Sequence, residues 1–480
     1  MRDPRWAALY VLCGGMLMIV LDVTVVNVAL PSIQEQLHFS SASLAWVVNA
    51  YLISFGGLLL LAGRLGDLIG RRRVFLAGIG LFTAASLLCG VAGSQAVLVA
   101  ARFVQGVGGA MTSAVILGMI VTMFPQPREQ AKAIGVYAFV ASAGGSVGLL
   151  AGGVITQSID WHWIFFINVP IGLGTVWLSR RLLAQDTGIG LSAGADVPGG
   201  ILITAALMVG VYAIVGPAAS HGWGDSATLG LGALSLALLG AFVAREATAA
   251  NPLVPLRILR VRNVLAANAI QILSVAGMFG MFFLGALYLR RVLGYDALQI
   301  GLSFLPVTLT MGTLSIRYSE RIVTRLGPRR ALLAGMPLVM AGLALFTRAG
   351  VGGSYAADVL PSMALLGIGA GVAFPSLMAV AMSGATPKDA GLASGLVNTT
   401  AQVGGALGLA VLATLSDSRT RTLSHRGVSQ AAALTGGYHL AFWIAAALVA
   451  CAITIVLAAL PGAAVAPETA PLGTQGEGAA

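Results

Sequence analysis

Hydrophobic residues in this chain fall into long runs, broken at short intervals by glycine, proline or clustered charge. Fourteen runs can be marked, over residues 8–30, 44–63, 74–93, 96–123, 133–155, 163–183, 197–216, 227–246, 264–289, 298–318, 331–347, 356–382, 394–416 and 438–460. Each approaches or exceeds the roughly 20 residues that a helix needs to cross the hydrocarbon core of a bilayer. A helix satisfies its own backbone groups in lipid, so every run is predicted to be helical. The pattern therefore predicts an all-α integral membrane protein with fourteen transmembrane helices. Composition agrees, because 58% of the residues are hydrophobic and only 9% are charged, against about a quarter charged in a soluble domain.

The net charge of +10 looks at first like a nucleic-acid signal. Its distribution argues otherwise. Only two residues are lysine, Lys132 and Lys388, and the arginines gather in alternate connections between the runs. One set of ends holds Arg2, Arg5, Arg64, Arg71, Arg72, Arg73, Arg128, Lys132, Arg180, Arg181, Arg245, Arg257, Arg260, Arg262, Arg317, Arg321, Arg325, Arg329, Arg330 and Lys388. The other holds Arg290, Arg291, Arg348, Arg419, Arg421 and Arg426. Positive charge stays on the cytoplasmic side, so both termini are predicted to be cytoplasmic, with the lipid bilayer of the cell (plasma) membrane as the partner and no nucleic acid. The first run is too long for a cleaved signal peptide and is kept as a span. The three cysteines, Cys13, Cys89 and Cys451, lie in apolar runs without metal-ligand spacing. No metal and no cofactor are expected. The arginine-, alanine- and glycine-rich composition points to a bacterial source.

The chain also repeats itself. Gly70-Arg71-Arg72-Arg73-Val74-Phe75-Leu76-Ala77-Gly78, between runs 2 and 3, is echoed by Gly327-Pro328-Arg329-Arg330-Ala331-Leu332-Leu333-Ala334-Gly335, between runs 10 and 11. Two six-helix halves with two inserted central helices explain the offset. The expected units are 1–185 and 263–460 for the halves, 186–262 for the inserted helices with their linker, and 461–480 for a disordered cytoplasmic tail.

Asp22 is the lone acid in its apolar run. A carboxylate in a bilayer costs a few kcal/mol, and a chain that keeps one there needs it to hold a proton, an ion or a counter-charge. Arg102 is the one cation deep in a run. At about 1.5 Å per residue, Asp22 lies roughly 13 Å and Arg102 roughly 9 Å below the same membrane edge. The two are expected to pair, directly or through Gln105. Static buried pairs are rarely worth their cost, which favours a proton-coupling role for Asp22 and Arg102 over a purely structural one. No GxxxxGK[ST] loop is present and neither lysine follows a glycine, so no ATP-driven step by that route is expected.

Three further constellations carry expectations. Gly63, Arg64, Gly66, Asp67, Gly70, Arg71 and Arg72 close the second run; Asp67 facing a helix N-terminus or an arginine would make a two-state latch, while the arginines also anchor topology. Gly144, Gly148, Gly152 and Gly153 in run 5 permit a hinge, a tight seam or ordinary close packing. Polar and aromatic residues within runs are candidates for a substrate cavity or for bridging helices: Asn27, Asn49, Tyr51, Gln105, Tyr137, Asn268, Gln271, Phe279, Phe283, Asn398 and Gln402.

Taken as a set, these motifs resemble the major facilitator superfamily (MFS) and, within it, the fourteen-span drug:proton antiporters. Leu21 to Pro31 is similar to that family's first-span motif, Gly63 to Arg73 to motif A and Arg102-Phe103-Val104-Gln105-Gly106 to motif B. Trp161 to Pro170 and Ala390 to Leu396 resemble two further signatures. The resemblance implies the MFS fold and a proton-driven secondary exporter of lipophilic drugs, antibiotics or related small molecules, not an enzyme, working by alternating access. It assigns coupling to Asp22 and Arg102 and gating to Asp67 with its arginines. Two positions depart from the pattern. Leu149 follows Gly148 where the antiporter motif carries proline, and His162 stands between Trp161 and Trp163 where arginine is common. The missing proline leaves proton-coupled uptake of a small organic solute, or export of an endogenous metabolite or lipid, as alternatives.

Overall fold

A computed structural model describes residues 4–40, 42–383 and 390–460. Arg2, Lys388 and the tail beyond residue 460 lie outside them, as does the whole link 384–389. The described residues are helical, with no strand among them. Numbered in chain order, α1 is Pro4–Leu37, α2 Ala45–Ile69, α3 Arg71–Gly90, α4 Gln95–Met123, α5 Pro127–Ser158 and α6 Asn168–Leu182. The series continues with α7 Val197–Ala213, α8 Ser226–Thr248, α9 Arg262–Arg291 and α10 Ala297–Thr313. It ends with α11 Pro328–Phe346, α12 Leu360–Ser383, α13 Ala390–His425 and α14 Gln430–Ala459. Thirteen helices among the described residues are long and apolar enough to cross a membrane. The remaining run is divided: a short turn, Trp163–Phe166, precedes α6, and this break sets Asn168 at the first position of the helix. Past Ala213, α7 runs on through a wider π turn, Ile214–Ala218, which contains Pro217. Proline has no N–H to give the i−4 carbonyl, so the ladder opens there.

Packing repeats across the chain. Helix α3 lies along α4 as α11 lies along α12, and α1 lies along α5 as α9 lies along α13. The glycine at the repeated turn has a left-handed backbone in both copies, with φ +102° at Gly70 and +76° at Gly327. This conformation suits glycine alone among common residues, so the sequence echo is an echo of backbone shape. The halves meet where α2 packs on α13, α5 on α10 and α1 on α9. At the face opposite the termini, Arg290 donates from Nε and a terminal nitrogen to Glu35 at 3.2 Å each, joining the end of α9 to the end of α1.

The inserted pair sits to one side. Helix α7 packs on α2 and α8, and its extension accepts hydrogen bonds from the second half, from Thr414 to the Ile214 carbonyl and from Arg421 to the Ala219 carbonyl. Helix α8 is the outermost, with only 6% of its most apolar stretch buried.

Candidate functional site

Asp22 of α1 and Arg102 of α4 form an ion pair of 2.5 Å, with side chains 0% and 1% exposed. Five helices build its surroundings. Asp22 Oδ2 accepts from the Arg102 guanidinium, while Oδ1 accepts from Gln105 Nε2 at 2.7 Å and from Asn168 Nδ2 at 3.2 Å. Gln105 is one helical turn from Arg102 and returns its Oε1 to the guanidinium at 2.7 Å. Arg102 Nε donates to the Val47 carbonyl of α2 at 2.9 Å. Ser86 of α3 accepts from both carboxamides, at 3.2 and 3.0 Å, and donates to the Phe165 carbonyl. The Tyr51 ring covers the guanidinium, 4.4 Å from its carbon. Both oxygens of the acid are thus satisfied and its charge is neutralised, which is what lets an ionised carboxylate sit in an apolar bundle.

Beside this cluster, and lined by none of its residues, lies a cavity of about 280 Å³ between the halves. Residues of α1 (Val23, Thr24, Asn27) face residues of α9 (Gln271, Val275, Met278, Phe279, Phe282), with Leu149 of α5, Val307, Thr308 and Met311 around α10, Phe374 of α12, and Ala401 and Gln402 of α13. Its polar groups are the carboxamides of Asn27, Gln271 and Gln402 and the hydroxyls of Thr24 and Thr308; no charged side chain lines it. Asp22 points from one side of α1 into α4 and α6 while its neighbours Val23 and Thr24 point from the other into the cavity, so the acid and the cavity share one helix.

Four of the residues singled out from sequence, Asn27, Gln271, Phe279 and Gln402, line this cavity. Tyr51 and Gln105 belong to the ion-pair cluster instead. Asn49 is fully buried in α2, and neither polar atom of its side chain has a hydrogen-bond partner. Tyr137 donates to Met16 Sδ between α5 and α1. Asn268 bridges α9 to Thr400 of α13, Phe283 is core, and Asn398 is exposed with its amide on the Ser394 carbonyl. Asn168 and Ser86 were not singled out; the one signal for Asn168 was an amide within the aromatic stretch from Trp161 to Pro170.

The glycines of α5 form a seam. The spacing of four puts Gly144, Gly148 and Gly152 on one face, against Leu17, Thr24 and Val25 of α1, and Gly153 meets Ala297 and Leu298 of α10. A side chain at Gly148 would collide with Thr24, so α5 holds the helix that carries both Asp22 and a cavity wall. His162 stacks on Trp161 at 3.7 Å and pairs with Asp160 at 2.5 Å.

Motif A is held by contacts within the first half and with the segment that follows it. Asp67 pairs with Arg71 one turn on, at 3.1 Å, and Arg71 donates to the Gly118 carbonyl and Thr122 at the end of α4. The segment after α6 wraps this corner. Asp186 caps α3 by accepting from the backbone N–H of Arg71 and Arg72, and Arg64 donates to the carbonyls of Ala193 and Gly194. Arg72 reaches the Arg180 carbonyl. The Asp67 carbonyl also accepts from the Ile189 N–H of this segment, at 3.0 Å.

Comparison with known proteins gives this geometry its setting. Residues 12–409 match the family model of the Major Facilitator Superfamily. The chain is 39% identical to the puromycin resistance protein of Streptomyces alboniger, over 91% of this chain and 87% of that protein. It is 38% identical to the cephamycin export protein of Amycolatopsis lactamdurans, over 86% and 85%. A crystal structure of a bacterial homolog of the human lysosomal transporter Spinster, inward-facing and unoccupied, matches the fold with a TM-score of 0.66 at 15% identity, over 96% of this chain and 97% of that one. This protein belongs to the major facilitator superfamily and fits its drug:proton antiporters.

Proposed function

We propose that the protein exports small lipophilic molecules, antibiotics among them, in exchange for protons, and that Asp22 is the group that carries the proton. The observation that carries this reading is the buried Asp22–Arg102 pair on a helix whose other side faces the cavity. Protonating Asp22 would leave Arg102 buried without its counter-charge. Removing one partner of a buried pair costs about 3–5 kcal/mol, so the protonated molecule is driven to another arrangement of α1 against α4. Gln105 and Asn168 present amide N–H groups to the carboxylate. Turned over, the Asn168 carboxamide would present its oxygen to the acid form, so the proton would find an acceptor while Arg102 is left without its counter-charge. The described conformation, closed by Glu35 and Arg290 at the face away from the termini, then corresponds to ionised Asp22.

With the arginine-rich ends in the cytoplasm, the proton enters from outside and leaves inside as substrate moves outward. A membrane potential of 100 mV contributes about 2.3 kcal/mol per proton and each pH unit about 1.4 kcal/mol. The working units are 1–185, 186–262 and 263–460. The uncharged cavity, with three aromatic rings and three carboxamides, fits neutral or singly charged amphiphiles better than dications. The names of the relatives supply probes. Expression in a bacterial host stripped of its own pumps, challenged with puromycin and other antibiotics, should raise the inhibitory concentration of at least one, and Asp22→Asn should abolish the gain. Protection that survives Asp22→Asn, or gradient-driven accumulation in place of efflux, would overturn the reading.

A further inference from the structure

Two carboxyl groups outside the Asp22 cluster are buried against each other at the junction of the inserted helices. Asp196 is the N-cap of α7 and Glu246 lies in the last turn of α8; they are 2% and 3% exposed. Asp196 Oδ1 accepts from the Gly199 N–H at 3.2 Å and from Arg245 Nε at 2.9 Å. Glu246 Oε2 accepts from the Val254 N–H at 2.8 Å. The remaining oxygen of each, Asp196 Oδ2 and Glu246 Oε1, is buried and without a hydrogen-bond partner.

Those two oxygens converge. A Cβ added to Gly199 would stand 2.7 Å from Asp196 Oδ2 and 3.0 Å from Glu246 Oε1. The absent side chain of Gly199 is therefore what leaves the oxygens facing across a small gap. The charged groups that face the pair are few. Arg245 of α8 binds Asp196 on its other oxygen. From α2, Arg64 is spent on the carbonyls of Ala193 and Gly194. The connection after α8 contributes the Val254 N–H and Asn251, whose amide goes to the Ala193 carbonyl. Leu61 of α2, Val264 of α9 and Leu396 of α13 close an apolar knot around Leu253 and Val254.

One guanidinium for two buried carboxyls leaves one negative charge in excess. Two like charges held this close disfavour ionising both carboxyls, and a proton held by one can hydrogen-bond to the other. We infer that Asp196 and Glu246 form a second proton-binding site, distinct from Asp22, in which one proton is shared across the gap over Gly199. Filling the gap with a proton satisfies both orphaned oxygens and leaves the pair neutral overall with Arg245. Losing it sets two carboxylates against each other and pushes Glu246 from the Val254 N–H. That bond fastens the connection from α8 to the second half, within the knot that joins α2 to α9 and α13. The inserted pair is thereby a proton-sensitive tether between the halves. This inference stands apart from the direction and substrate of transport.

The test is infrared difference spectroscopy on the full-length protein in lipid, in an Asp22→Asn background so that the first acid contributes nothing. At neutral pH the C=O stretch of a protonated carboxyl should be present. It should vanish on adding Glu246→Gln and, separately, on adding Asp196→Asn. Both variants keep the fold-supporting contacts, since glutamine still accepts from Val254 and asparagine is itself a good N-cap. Replacing potassium by sodium should leave the band in place. A band that survives both substitutions, no band at neutral pH, or a band lost on adding sodium at constant pH, which would mark a cation site instead, would each overturn the assignment.

Discussion

The two halves of the molecule share a fold but not a charge. The same helix pairs pack in each, and the turn glycines Gly70 and Gly327 take the same left-handed backbone. Yet the first half buries Asp22 and Arg102, whereas the buried polar residues of α9–α14, Asn268, Gln271, Ser274, Ser303, Ser362, Ser376, Thr414, Ser416 and Thr435, are all uncharged. Motif A differs in the same direction. Counting back three residues from each turn glycine gives Asp67 in the first copy and Thr324 in the second. Packing is thus the repeated property, and among the described residues of the two halves the buried ion pair lies in the first copy alone. The cavity lies where a charged half meets a neutral one, so on the proposed function a change of charge at Asp22 would be felt, through α1, at an uncharged wall.

Removing the cation should break this contrast most severely. Arg102→Ala leaves Asp22 buried and unpaired, and is expected to cost about 3–5 kcal/mol, seen as a large fall in thermal midpoint or failure to fold. Gln271→Ala, in the uncharged half, should cost about 1 kcal/mol. Equal sensitivity at the two positions would refute the division of labour.

A second pair of variants sharpens the symmetry. A Cβ at Gly78 would stand 2.7 Å from the Thr112 nitrogen of α4, and one at Gly335 would stand 2.7 Å from the Gly369 oxygen of α12. Overpacking at a tight seam costs about 1–3 kcal/mol. Gly78→Ala and Gly335→Ala should therefore destabilise to a similar degree in parallel unfolding measurements. A cost at one site alone would mean that the repeat is not one of packing.

How much of this could be read from the chain follows from the same physics. A charge in an apolar run is costly enough to stand out, so Asp22, Arg102 and their common depth were legible. Helices that are apolar all round give no face to read. Nothing in the sequence separates Phe279 and Phe282, at the cavity, from Phe283 in the core. Ser86 and Asn168 were silent because neutral polar residues occur in membrane helices for many reasons, and only the fold brings them to the acid. Asp186, Asp196 and Glu246 sit at or near helix ends, where charge is cheap and unremarkable until burial is seen.

Asp186 offers a smaller effect. It caps α3, whereas α11 begins with Pro328, which has no N–H to cap at that position. Asp186→Ala should cost about 1 kcal/mol and raise hydrogen exchange in the first turn of α3, with no change at α11. The smallest effect is expected at Glu35 and Arg290. Both are partly exposed, and such pairs contribute roughly 0–1 kcal/mol. Glu35→Gln should barely move the thermal midpoint, and high salt should abolish the difference from the parent.

The most direct measurement is flux in proteoliposomes holding a compound identified by the resistance screen, with a pH gradient imposed across the membrane, comparing the parent chain with Asp22→Asn. The parent should move the compound against its concentration in response to the gradient. Asp22→Asn should lose that response while still exchanging labelled for unlabelled compound at equal concentrations. Gradient-driven movement undiminished in Asp22→Asn would contradict the claim that this buried acid carries the proton.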